Sequence, residues 1–161
     1  MPKKIDPLNK KLYGAVSAML IVSDIRAAAG FYQKALGFTK RGVMNGPDGK
    51  PIHAELVLRG TTLMLGPGNE QRGARSAKTQ GGSPATLYLT VENVDKVVAK
   101  ALKLGAAQMM PVTDMFWGDR VGTICDADGY QWMIATHFAE PTPQEMKKQM
   151  MAQAKAMAAG A

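Results

Sequence analysis

The feature that most constrains this chain is that it repeats itself at a spacing of 69 residues. "VSDIRAAAGFYQKALGF" begins at Val22, and "VENVDKVVAKALKLGAA" begins at Val91. An apolar run of strand character precedes each, "AMLIV" in the first and "LYLTV" in the second. Each then opens on a polar pair, Ser23-Asp24 or Glu92-Asn93, that can accept from the unpaired N–H groups at a helix start. About twelve helical residues follow, and Leu36-Gly37 and Leu104-Gly105 end them. Glycine suits the left-handed backbone just past a helix. The last strands correspond as well, because "GTTLML" from Gly60 matches "GYQWMI" from Gly129 at the same spacing. Between helix and last strand, "FTKRGVMN" and "IHAELVLR" flank "GPDGK", whose Asp48-Gly49 signals a hairpin. In the second half "AQMMPVTD" and "DRVGTICDA" are separated by "MFWG". Each half reads as strand, helix, three strands, so the fold class is α+β, built from two tandem βαβββ modules.

The repeat also sets the domain organisation. One domain is expected over residues 14–138, with modules at 14–67 and 84–138 joined by a linker loop at 68–83. That linker, "GNEQRGARSAKTQGGS", lacks apolar periodicity and is predicted to be an exposed, mobile loop over a pocket. Residues 139–161 form a C-terminal helical extension, with start signals at Thr142-Pro143 and Glu145. Met146, Met150 and Met157 share one face of it, as a packing or dimer-contact helix would require.

A length of 161 residues suits one domain or two small modules sharing a core. The net charge of +7 gathers at Lys3, Lys4, Lys10 and Lys11, at Arg72, Arg75 and Lys78, and at Lys147, Lys148 and Lys155. No aromatic interleaving or nucleic-acid module accompanies it, so no nucleic-acid partner is expected. The charge instead favours solubility and neutral or anionic small ligands. A single cysteine rules out an internal disulfide framework. The N-terminal basic and apolar runs lack a prompt cleavage site and are too short for a span, so cytoplasmic localisation and no membrane partner are expected. Twelve methionines point to a plastic interior or binding surface, or to ordinary gap filling.

Two βαβββ units in tandem resemble the vicinal oxygen chelate superfamily of glyoxalase, bleomycin-resistance and extradiol dioxygenase proteins. The likeness is carried by "VSDIRAAAGFYQKALGF" and "WGDRVGTICDADGYQWMIATH". "HAEL", "MFWGDR" and "W..ATH" resemble its PhnB-like branch. The resemblance implies that the modules curl into paired half-barrels around a cavity, and that the protein is a homodimer. It further implies that metal-dependent members take one ligand from each of four strands. In this chain those positions are Ser17, Met64, Thr86 and Met133. Neutral hydroxyls are weak ligands and thioethers favour soft ions, so no divalent metal and no cofactor are expected.

The remaining chemistry-bearing candidates divide between binding and catalysis. His53 and Glu55 lie two apart on one strand and face the same way, as a base and its orienter would, or as a histidine that bonds backbone or ligand. Arg120 can recognise a carboxylate or phosphate, or else pair with Asp119 or Asp126 to brace the hairpin. Phe116 and Trp117 form an aromatic wall or a core plug. Tyr88 alternates with Thr86 and points its hydroxyl to the cavity, and Met44, Met64 and Met133 supply apolar lining. Asp126 and Asp128 read as turn residues, Cys125 as an inert thiol, and His137 as the close of a structural hydrogen bond. The expected function is a metal-free small-molecule-binding protein. The alternatives are a superfamily enzyme of lyase, isomerase or dioxygenase type, using a metal or His53 and Glu55, and an interaction protein using its basic C-terminal helix.

Overall fold

A computed structural model describes residues 5–159, so Lys3 and Lys4 of the basic N-terminus, and the side chain of Met157, lie outside the described residues. The element order follows the repeat. The first copy runs β1 (Ala18–Val22), α1 (Ile25–Leu36), β2 (Thr39–Asn45), β3 (Pro51–Leu58) and β4 (Thr61–Pro67). The second runs β5 (Thr86–Thr90), α2 (Val94–Lys103), β6 (Ala107–Asp114), β7 (Asp119–Cys125) and β8 (Gln131–His137). The C-terminal helix α3 (Pro143–Ala159) follows. No described helix is long and apolar enough to cross a membrane.

The helix starts are those the polar pairs demand. Asp24 accepts from the N–H of Ala27, and Asn93 from that of Lys96, which satisfies donors that a helix start leaves unpaired. At the other end of α1, Gly37 takes φ 81° and lets the chain leave in left-handed backbone. Thr142 and Glu145 form a reciprocal pair at the start of α3, the Glu145 carboxylate accepting from the Thr142 N–H at 2.7 Å.

Each copy makes its own four-stranded sheet, ordered β1-β4-β3-β2 and β5-β8-β7-β6. The first and last strands of a copy lie parallel, with Met19 opposite Met64 and Tyr88 opposite Met133. Strand alternation then sorts the side chains. In the first sheet Leu20, Val22, Ala54, Leu56, Leu63 and Leu65 are buried on the face that carries α1. They meet the apolar stripe Ile25, Ala28, Ala29, Tyr32 and Leu36. In the second, Leu89, Ile124, Trp132 and Ile134 are buried with Val94, Val98 and Ala101 of α2. The opposite, helix-free face of each sheet mixes apolar residues such as Met64 and Met133 with polar ones, Glu55 on the first and Asp119 on the second.

Two compact units result, and their boundary departs from the repeat at one place. Among the described residues, the first comprises 5–85 with Asp126–Tyr130, and the second Thr86–Cys125 with 131–159. The β7–β8 turn therefore groups with the first unit. Asp126 accepts from the Tyr32 hydroxyl at 2.7 Å, Asp128 from the Ser23 N–H at 2.7 Å, and the Tyr130 hydroxyl bonds both backbone groups of Ile21 at 2.9 Å. Tyr130 thus occupies the exposed edge of β1, where an unpaired N–H and C=O would otherwise invite another strand. The 68–83 linker is more ordered than its composition predicts. It holds a short 3₁₀ turn at Glu70–Arg72, buries Ser76 and Ala77, and donates from the Lys78 N–H to the Asp128 carbonyl at 2.7 Å. Small residues with no periodicity can still be pinned by backbone hydrogen bonds, which composition does not reveal.

Candidate functional site

On the helix-free face of the first sheet, the hairpin register sets Met44 opposite His53, and Gly42 opposite Glu55. Glu55 also faces Met64 on β4. A bulge between Lys40 and Gly42 inserts Arg41 and turns its side chain onto this same face. Glu55 is the centre of the cluster. It accepts from the Tyr13 hydroxyl at 2.5 Å, from Arg41 Nη1 at 3.2 Å, and lies 3.4 Å from His53 Nε2. The bond from Tyr13 holds the Glu55 carboxyl below its ordinary range; burial opposes this, and His53 and Arg41 reinforce it. The same bond pushes the Tyr13 phenol up. Beside the cluster lies a depression of about 320 Å³ lined by Arg41, Gly42, Val43, Met44, His53 and Glu55. Its exposed walls are mostly apolar, and the Arg41–Glu55 ion pair and the His53 imidazole line it as well.

The helix-free face of the second sheet holds a parallel arrangement around Asp119. Its carboxylate accepts from the Tyr88 hydroxyl at 2.6 Å and the Trp117 indole N–H at 3.0 Å, and lies 2.8 Å from His137 Nδ1. Burial works to raise the Asp119 carboxyl, but the bonds from Tyr88, His137 and Trp117 outweigh it and hold it below the ordinary range. Tyr88 is raised, first by burial and then by this bond, although half of its surface stays exposed. Phe116 packs edge-on against Trp117, with centroids 5.0 Å apart. Each unit therefore presents a carboxylate bonded to one tyrosine and one histidine.

The structure gathers the sequence-derived candidates into these two groups, Met44, His53, Glu55 and Met64 in one and Tyr88, Phe116, Trp117 and Met133 in the other. Arg120 joins neither. It alternates with Asp119 and so lies on the α2 face, where Nε and Nη2 each bond Asp95 at 2.9 Å and Nη1 bonds Asp114 at 2.7 Å. Those bonds hold the guanidinium firmly charged. Neither Asp119 nor Asp126 is its partner. Asp126 and Asp128 organise the β7–β8 turn instead, while Ser17 directly precedes β1 and Thr86 opens β5 opposite Gln131. Cys125 is half-buried at the end of β7. Sequence reasoning missed Tyr13, Arg41 and Asp119 as organising residues. Arg41 carried no signal, because the bulge shifts it out of the alternation that would have placed it.

The family profile described as Glyoxalase/Bleomycin resistance protein/Dioxygenase superfamily matches residues 14–134. The chain belongs to this superfamily. A protein of Mycobacterium tuberculosis described as uncharacterised is 37% identical over 142 residues, covering 86% of this chain and 84% of that relative. A superfamily member from Sphaerobacter thermophilus has a solved structure with TM-score 0.61 and 25% identity, covering 79% of this chain and 99% of that one. A family enzyme from Burkholderia phytofirmans shares the fold at TM-score 0.61 and 17% identity, over 76% and 97% of the two chains.

Glyoxalase-superfamily enzymes that use a metal need donors suited to a divalent ion. Ser17, Met64, Thr86 and Met133, the residues that the resemblance sets at those donor positions, carry only hydroxyls and thioethers, which are weak or soft donors for Zn, Mn, Ni or Fe. Among the described residues, no group of three or more His, Cys, Asp or Glu is arranged to hold a metal.

Proposed function

We propose that this superfamily member is a metal-free small-molecule-binding protein that holds a neutral or anionic ligand against its Met- and aromatic-lined helix-free faces. The observation that supports this best is the pairing of an open apolar depression at Met44 and His53 with thioethers and hydroxyls at the family's metal positions. Arg41 is already neutralised by Glu55, so a bound ligand needs no net charge to satisfy the site. The same reading takes the chain as a cytoplasmic homodimer of the PhnB-like branch, without nucleic-acid, membrane or cofactor partners.

Saturable thermal stabilisation by members of a panel of aromatic and carboxylated metabolites, without turnover, is the expected result. A flat response across the panel sinks the proposal. Metal analysis of protein purified without chelators should find no stoichiometric Zn, Ni, Mn or Fe, and light scattering should give twice the chain mass.

An enzymatic reading rests on the His53–Glu55 approach of 3.4 Å. Glu55 is held ionised by three neighbours, which suits orienting an imidazole better than shuttling a proton. Turnover of a bound panel member that is lost in His53→Ala would favour this reading over simple binding.

A further inference from the structure

We infer that the helix-free face of the first unit takes para-hydroxyphenyl compounds that carry a carbonyl or carboxylate oxygen, and that Leu12-Tyr13 of the chain itself occupies this site as an internal ligand. The inference rests on the binding reading above and names the ligand class for that face.

Residues 5–16 precede β1 and contain only turns. A segment held down by burial would hide its apolar side chains, yet Ile5, Leu8 and Leu12 are 84%, 65% and 47% exposed. Tyr13 alone among residues 5–16 is not classed as exposed. Two polar anchors attach the segment to the sheet. The Leu12 carbonyl accepts from Arg41 Nη2 at 3.0 Å and from the Thr62 hydroxyl at 3.0 Å. Thr62 is only 1% exposed, and its hydroxyl, which also accepts from Arg41 Nη2 at 2.6 Å, is thereby oriented to donate to the Leu12 oxygen. At the far end of the same dipeptide, the Tyr13 hydroxyl donates to Glu55 at 2.5 Å, and the Arg41 guanidinium lies 5.1 Å from its ring centroid.

The Leu12 oxygen stands in for a ligand carbonyl or carboxylate, and the Tyr13 side chain for a ligand phenol. Moved aside, they leave two donors, a carboxylate acceptor and a cation that can cover an aromatic ring. The adjoining depression at Val43, Met44 and His53 accommodates further substituents. A benzyl compound without the hydroxyl leaves the Glu55 carboxylate short of a donor, which is the kind of loss a binding site discriminates strongly. Because the strap is covalently attached, it competes at a roughly millimolar effective concentration.

N-acetyl-L-tyrosinamide reproduces the Leu12 carbonyl and the Tyr13 side chain in one molecule. Titrated calorimetrically into the full chain, it should bind Tyr13→Ala on the order of 10-fold more tightly than wild type. It should also bind that variant on the order of 10-fold more tightly than N-acetyl-L-phenylalaninamide does. Adding Thr62→Val should weaken the tyrosine compound. Should Tyr13→Ala fail to fold, Tyr13→Phe keeps the ring over Arg41 and should still bind the probe better than wild type. Equal binding by wild type and variant, or by the two probes, overturns the inference. If the Tyr13 variants bind other panel aromatics but neither probe, the ligand class is wrong and the binding reading stands. If no form binds any of them, both fall.

Discussion

The hydroxyl of Tyr32, in the middle of α1, donates to the Asp126 carboxylate at 2.7 Å and joins residues 94 positions apart. A turn between two strands of the second repeat thereby completes the compact unit built on the first. Burial, then the charge of Asp126, pushes this phenol far above its ordinary range, so it remains a donor at any accessible pH.

Tyr32→Phe removes that donor and leaves a buried carboxylate one bond short. We expect a loss of roughly 1.5–3 kcal/mol, the range for a hydrogen bond to a charged group. Urea denaturation with an unchanged slope would measure it. A cost below the error of that method would mean that Asp126 finds its bond elsewhere.

Gly118 adopts φ 94°, and a Cβ there would collide with the backbone carbonyl of Ala139. Its own carbonyl accepts from the N–H groups of Phe138 and Ala139 at 3.0 and 3.1 Å, so it seats the chain leaving β8. Gly118→Ala combines a clash with left-handed backbone strain and is expected to cost about 1–3 kcal/mol or more. Hydrogen exchange should show the amides of Phe138 and Ala139 losing protection first. Unchanged protection would place the constraint somewhere other than Gly118.

The His137–Asp119 contact should make local stability depend on pH. His137 is raised, first by its bond with Asp119 and then by the charges of Asp119 and Glu140, while Asp119 is lowered. A raised histidine contributes stability that is complete below its unfolded value, about 6.5, and lost as pH rises through the folded value. The lowered aspartate contributes above its unfolded value, about 3.9, and loses that contribution as pH falls through the folded one. The pair is therefore strongest between these limits and fades on the alkaline side. NMR titration should give His137 a pKa above the free imidazole value, and Asp119→Asn should return it. A His137 that titrates identically in both forms would disprove the coupling.

Arg120→Ala should leave small-molecule binding unchanged, because the guanidinium is engaged on the α2 face by Asp95 and Asp114. A small drop in melting temperature is expected, since the pairs are exposed and screened. A selective loss of ligand affinity at unchanged stability would return Arg120 to the binding site.

The elements themselves were legible because their signals are local. Asp24 and Asn93 announce the helices, Gly37 ends the first, and the 69-residue spacing carries each assignment from one half to the other. The candidate site was only half legible. His53 and Glu55 could be placed together because alternation on one strand needs no partner strand. Arg120 could not be placed, since "DRVGTIC" puts glycine at Gly122 and blurs the period that would show which face it takes. Asp119 passed for a neighbour of Arg120, when it is the residue on which Tyr88, Trp117 and His137 converge.

The sequence by itself determined two βαβββ copies and their helix caps, because repetition and capping belong to residue type and spacing. Only the tertiary structure decided that Tyr13 and Arg41 meet at Glu55 and that the Asp126–Tyr130 turn belongs with α1. Those contacts depend on a bulge, a strap without periodicity and a turn reaching 94 residues back, and none of the three leaves a pattern along the chain.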